Sequence, residues 1–260
     1  MSEDIFIGVV SHKTAYFPDI PFHYPVCAGA YKNHVGTEGI MSGETPFQDN
    51  TGDHISEKNG YYNELTAQYW MWKNVHADYI GLCHYRRYFN FGKEIGRAPR
   101  IGEAFPSGKK LFSKYGWDER SIEDAVKSAD ILVARETSRC GPDTNIGEFF
   151  ASRGENSPLH LMGQYIAELY PEYVPYFERL LGKRKISSFN MFIMKREWFA
   201  RYSEWLFDLE DLFEKKWHER VGDHIGRACG EMAEYMLNLW LWYLAENTRG
   251  GYLIDAFRPQ

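Results

Sequence analysis

Residues 80–89 read IGLCHYRRYF. An apolar run, Ile80-Gly81-Leu82-Cys83, stops at an imidazole and two guanidiniums, then resumes at Tyr88-Phe89. A run that is apolar at every position, without alternation, is the pattern of a strand covered on both faces. Tyr79–Cys83 therefore reads as a buried strand, with His84-Tyr85-Arg86-Arg87 at its carboxyl end. The preceding segment, NELTAQYWMWKNVH, sets Leu65, Tyr69, Trp72 and His76 at helical spacing. Asn63 serves as its cap, and Glu64 suits the positively polarised first turn. Upstream, Ile5–Val10 is a second continuous, β-branched run, ending in Ser11-His12-Lys13. Residues 14–60, rich in Pro, Gly, Asn and Asp, read as a long irregular loop. Strand, loop, helix, strand predicts an α/β fold with a mostly parallel central sheet flanked by helices.

The same reading extends to the end of the chain. Residues 92–118 and 136–156 read as loops, Ser121–Ser128 as a short helix capped by Ser121, and Ala129–Ala134 as a strand. Residues 157–182 read as helix interrupted near Pro171 and Pro175. Ile186–Met194 is an apolar strand except at Ser187, Ser188 and Asn190. A helix over 196–217 shows Phe199, Tyr202, Leu206, Leu209 and Phe213 on one face, and a last helix spans 230–246. Tyr252-Leu253-Ile254 reads as a short final strand. No repeat or low-complexity linker divides the chain, so residues 1–260 read as one domain.

Composition narrows the function classes. A net charge of −6 disfavours a nucleic-acid partner. Four well-separated cysteines form no CxxC pair, which points to reduced thiols in a cytoplasmic protein and away from zinc or a disulfide framework. The first residues lack the basic start of a signal peptide, and no apolar run approaches the roughly eighteen residues of a membrane span. P-loop, GxGxxG, GxSxG and HExxH patterns are all absent.

In open α/β sheets, ligands bind beyond the carboxyl ends of the strands. If the first strand and Tyr79–Cys83 are parallel, His12 and Lys13 share a crevice with His84, Arg86 and Arg87. Guanidinium holds phosphate oxygens through paired hydrogen bonds, so this cluster suits a phosphate or diphosphate. Pairing of the arginines with Asp49 and Asp53 is the architectural alternative. Asn190 in its apolar strand needs a partner, either backbone or a bound sugar hydroxyl. Glu231, Glu234 and Asn238 form one polar stripe on an otherwise apolar helix. Glu234 is the best candidate for a general base, with a structural salt bridge as the alternative.

The blocks NTGDHISEKNGYYNELTAQYWMWKN, ADYIGLCHYRRYF, FNMFIMKREWFARYSEWLF and AEYMLNLWLWY resemble the DUF4422 family. Those proteins occur in bacterial capsule, exopolysaccharide and O-antigen gene clusters and are regarded as GT-A-like glycosyltransferases. The resemblance implies a Rossmann-related GT-A-like domain that moves a hexose from a nucleotide sugar, with uridine diphosphate as the carrier. Val10 to Thr14 would hold the nucleoside. His12, Lys13, His84, Arg86 and Arg87 would hold the diphosphate, with Glu234 as base if configuration is inverted and no nucleophile assigned if it is retained, and Glu64, Asn190 and Asn238 orienting donor or acceptor. The arginines would replace or supplement a divalent ion, and Asp49 and Asp53 leave such an ion open. The acceptor would be a saccharide, lipid-linked in such pathways, met at the inner face of the membrane. Lys-rich residues 107–114 are a lid, a lipid-facing patch or a solvated loop. The alternative function is a non-catalytic carbohydrate or nucleotide binder on the same fold.

Overall fold

Two unbroken apolar runs form the middle of the sheet. The first is β1 (Ile5–Ser11), buried at every position. The computed structural model describes residues 4–32, 45–92, 109–138, 140–141, 143–154, 157–222, 226–247 and 254–256. Inside the segment expected as loop lie β2 (His23–Cys27), parallel to β1, and β3 (Phe47–Gln48), parallel to β2. The loop reading is thus corrected. HYPVC has no periodic signal and contains Pro25, which argues locally against a strand; pairing with β1 overrides that preference. Next come α1 (Asn59–Tyr62), α2 (Leu65–Asn74) and the second run, β4 (Tyr79–His84). β1 and β4 are parallel neighbours, in a register that sets Val10 opposite His84.

The remaining elements are α3 (Lys109–Tyr115), α4 (Glu119–Lys127), β5 (Ile131–Val133), β6 (Glu136–Ser138), α5 (Ile146–Ala151), α6 (Pro158–Leu169), α7 (Val174–Leu181), β7 (Lys185–Ser187), β8 (Phe192–Lys195), α8 (Arg196–Val221), α9 (Ala228–Asn247) and β9 (Ile254–Ala256). Among the described residues, the sheet has seven strands in the order β3-β2-β1-β4-β8-β5-β9. Only β8 runs against its neighbours, so the sheet is mostly parallel, as predicted. β6 and β7 form a separate antiparallel pair.

Alternation along the strands divides the core in two. Phe6 and Val10, Ile80 and Leu82, Phe192 and Met194 enter one cluster, covered by α2, α8 and α9 among others. Ile5, Ile7 and Val9, with Cys83 and Ile193, enter the other, with Trp117, Ile122 and Val126. Burial on both faces explains why these strands read as continuous apolar runs.

Several local expectations are corrected. Tyr69 and Trp72 are half-buried and His76 is exposed, whereas Ala67, Gln68, Trp70 and Met71 are buried with Leu65. α2 is wedged between the sheet and α8, so no single stripe describes it. Trp72 stacks on Phe207 of α8 at 5.9 Å, while Gln68 donates to Ser203. α4 begins before Ser121 and is capped by Asp118, which accepts the Ser121 N–H. The expected 136–156 loop contains β6 and α5, the latter closed by an Asn145–Glu148 capping box. The final strand starts at Ile254; residues 252–253 lie outside the described residues, as do 93–108. Lys109–Tyr115 is helix. No helix among the described residues is long and apolar enough to cross a membrane.

At Gly81 the central strands β4 and β8 approach closely. A Cβ there would lie 2.8 Å from Ile193 Cγ1 and 3.1 Å from the Phe192 carbonyl oxygen. Gly81→Ala is expected to cost about 1–3 kcal/mol through overpacking. The check is a lowered urea midpoint with an unchanged slope.

Candidate functional site

The carboxyl ends of β1 and β4 open onto a cavity of about 620 Å³. Val10, Ser11 and His12 line it from β1, and His84 through Arg87 from β4. Asn63 and Glu64 close it from the α1–α2 corner, Phe189 from the β7–β8 connection, and Glu231 and Glu234 from α9. The Tyr85 N–H donates to the Val10 carbonyl at 3.1 Å, carrying the ladder one residue past β4. His84 and Arg87 then exchange backbone hydrogen bonds of 2.8 and 3.1 Å. This tight turn leaves Arg86 exposed, its guanidinium 4.9 Å from the centre of the Tyr85 ring. Lys13 Nζ stands 5.8 Å from the same ring, and the His12 ring 6.1 Å from it, edge to face. Among the described residues Arg86 has no ion pair, so the alternative of pairing with Asp49 or Asp53 fails for it.

Phe189 ties three walls together. The strand expected over 186–194 breaks here, because Phe189 and Asn190 both take left-handed backbone, φ 73° and 50°. The Phe189 N–H donates to Glu234 Oε2 at 2.7 Å, and its carbonyl accepts from His84 Nε2 at 2.5 Å. Its ring carries the Arg87 guanidinium at 4.2 Å. Asn190 donates to Glu64 Oε1 at 2.9 Å and to the Gly230 carbonyl at 3.3 Å.

The predicted site residues thus separate. His12, Glu64, His84, Arg86, Arg87 and Glu234 line one cavity. His84 is corrected from phosphate donor to support: its Nε2–H is committed to Phe189, which leaves a neutral ring only an acceptor. Lys13 is exposed beside the Tyr85 ring and is not among the lining residues. Asn190 reaches the cavity only through Glu64 and Gly230. Asn238 is architectural, since its amide bonds the N–H and the carbonyl of Ser187, each at 2.9 Å. Glu231 takes the salt-bridge alternative, 3.2 Å from Arg153. Asp49 is fully buried and accepts from the Gly29 and Ala30 amides and the Ser56 hydroxyl. Asp53 accepts from Tyr69 on an exposed surface. Neither lines the cavity, so this pair does not suit an ion there.

Sequence reasoning missed Phe189, Asn63 and Arg227. Asn63 was expected to cap α2, but its side-chain oxygen instead accepts from Arg227 Nε at 2.8 Å. Phe189 had a faint signal, the polar Ser-Ser and Asn flanking it in an apolar run. Arg227 had none.

Burial, then the Lys13, Arg227 and Arg86 charges, hold the His12 imidazole below its ordinary range, against the pull of Glu64. Burial likewise lowers His84, again opposed by Glu64. Both rings are therefore neutral near pH 7, beside guanidiniums that always carry charge.

The model of a domain of unknown function, DUF4422, matches residues 6–246. The chain belongs to the DUF4422 family. Its fold is also that of part of a solved enzyme, WbbM, a bifunctional glycosyltransferase described in its apo form. The two share 28 % identity and a TM-score of 0.80, covering 98 % of this chain and 44 % of WbbM. This DUF4422 chain thus spans less than half the length of that enzyme. No curated protein matches it.

The two lowered imidazoles set a pH dependence for this DUF4422 fold. The unfolded chain binds more protons than the folded one, so stability is lost as pH falls below 6.5, the ordinary histidine value. Buried His23, lowered to about 4, adds to the same limb. Urea midpoints should fall steadily from pH 7 to pH 5, and less steeply in His84→Gln. Equal slopes in the two proteins would remove His84 from the explanation.

Proposed function

We propose that the chain is a GT-A-type glycosyltransferase that moves a hexose from a nucleoside diphosphate sugar, with uridine diphosphate as the carrier, to a saccharide acceptor. The observation that carries this reading is Arg86. It is an exposed guanidinium without an ion pair among the described residues, on the cavity wall where β1 and β4 end side by side. Strand ends are where α/β sheets bind nucleotides. The fold shared with part of a glycosyltransferase supports the reaction class.

The acceptor hydroxyl attacks the anomeric carbon of the donor. The bond from that carbon to the diphosphate oxygen breaks, and its electron pair leaves with the diphosphate. Arg86 and Arg87 stabilise the charge that develops there, which is electrostatic transition-state stabilisation. Glu234, on the wall beside Phe189, receives the acceptor proton. Glu64 orients the sugars, held by Asn190. His84 acts through Phe189, keeping that peptide, and with it Glu234, in place. The Glu64, Glu231 and Glu234 carboxylates lie on the same cavity as the arginines, so a sugar bound to the diphosphate meets hydrogen-bond acceptors. The acceptor belongs to bacterial surface-polysaccharide synthesis, in a lipid-linked form met at the cytoplasmic face of the membrane.

Thermal stabilisation and turnover test this together. UDP or a UDP-sugar is expected to raise Tm both in EDTA and in manganese, and sugar transfer or hydrolysis should release UDP. Arg86→Ala should lose about a hundred-fold in turnover, the usual loss of one donor to developing charge. Full turnover in Arg86→Ala would remove the arginine from the chemistry. Nucleotide binding without any turnover would favour the non-catalytic binder.

A further inference from the structure

Arg227 is a third guanidinium on this cavity, beside Arg86 and Arg87, and the mechanism above leaves it unused. It arrives from a different element, immediately before α9, and lines the same space as Arg86. Its side chain is exposed, and among the described residues it has no ion pair. Its Nε–H is nevertheless fixed, donating to Asn63 Oδ1 at 2.8 Å. That acceptor is itself rigidly placed. Asn63 has left-handed backbone, φ 51°, and its Nδ2 lies 2.4 Å from where a Gly230 Cβ would sit. The same Cβ would lie 3.1 Å from the Tyr62 carbonyl oxygen, so glycine at 230 favours this close approach of the α1–α2 corner and α9. Using Nε to anchor the guanidinium leaves its two terminal nitrogens as the groups available to a ligand.

Two guanidiniums without carboxylate partners on one cavity repel each other until an anion joins them. Both also bear on a single imidazole: the Arg227 and Arg86 charges each depress His12. Convergence from separate elements, with one of the pair indexed by a side-chain acceptor, is the arrangement of an anion clasp and differs from a solvated surface charge.

We propose that Arg227, held by Asn63, is a substrate-binding residue that clasps the donor diphosphate together with Arg86. This rests on the nucleoside-diphosphate reading of the cavity. The division of labour is specific. Arg86 belongs to the β4 turn and Arg227 to the α9 approach, so the clasp assigns one phosphoryl group of the diphosphate to each guanidinium.

Calorimetric titration of UDP, GDP, UMP and inorganic pyrophosphate into wild type, Arg86→Ala, Arg227→Ala, Arg227→Lys and Asn63→Ala tests this. The full chain is used, and thermal melts of the unliganded variants check folding. Arg227→Ala is expected to weaken the preferred nucleoside diphosphate about 10–100-fold, the range for a charge-assisted contact. UMP binding should change by much less, so that discrimination between diphosphate and monophosphate collapses. Arg227→Lys should recover part of the loss. Asn63→Ala should reproduce part of it without removing a charge. Unchanged diphosphate affinity in Arg227→Ala, with wild type binding and Arg86→Ala impaired, overturns the clasp and leaves the transferase reading standing. Equal losses for UMP and UDP also overturn it, because they indicate a general effect on the cavity. If wild type binds neither nucleoside diphosphate nor pyrophosphate, the transferase reading falls and the clasp falls with it.

Discussion

The left-handed turn at Phe189 is the constraint on which the site depends. A bulky residue at φ 73° costs on the order of 1–3 kcal/mol, and it is followed by Asn190 at φ 50°, a conformation that asparagine adopts more readily. Glycine would remove the cost at the first position, but it would also remove the ring beneath the Arg87 guanidinium. The strain is offset by what the turn holds. One peptide bonds the Glu234 carboxylate through its N–H and the His84 ring through its carbonyl. The next residue anchors Glu64 and the Gly230 carbonyl. Elements that are distant in sequence, β4, the α1–α2 corner and α9, are thereby referred to a single turn.

That turn exists because of the sheet. β8 is antiparallel to both of its neighbours, β4 and β5. It therefore begins at the edge where β1 and β4 end, and the residues leading into it are delivered to the cavity. A parallel strand in that slot would present its carboxyl end there instead. The topology thus brings a strained, polar-flanked connection to the same edge as the arginines. It also explains the electrostatics of the site. Glu234 and Glu64 are met by a backbone amide and a side-chain amide, Glu231 by Arg153, and Arg87 rests on a ring. Arg86 and Arg227 are left with the cavity as their outlet, around an imidazole held neutral.

The fold was legible in the sequence where burial is two-sided. β1 and β4 were readable because consecutive apolar residues leave no other explanation, and α8 because its buried stripe, Phe199 to Phe213, is regular. β2 and β3 were not, since their stability comes from pairing, β2 with β1 and β3 with β2, and leaves no periodic trace in HYPVC or FQ. α2 was located correctly but its face was misread, because a helix packed on two sides has no single stripe. Residues announced by charge in an apolar context, Arg86, Arg87 and Glu234, lie on the cavity wall. Residues whose role is geometric were not so announced. Phe189 matters for its backbone, and Arg227 matters for where the α9 approach places it; neither property is encoded at one position. Asn238 shows the converse, a polar residue on an apolar helix that serves only to fasten β7 to α9.

A crystal structure of the full chain with UDP, grown in EDTA, tests the account most directly. The expected result has the diphosphate oxygens within hydrogen-bond distance of Arg86 and Arg227, with the Phe189 peptide still bonded to Glu234 and His84. A nucleotide seated away from the β1 and β4 ends, or a Phe189 peptide turned away from Glu234, would contradict it.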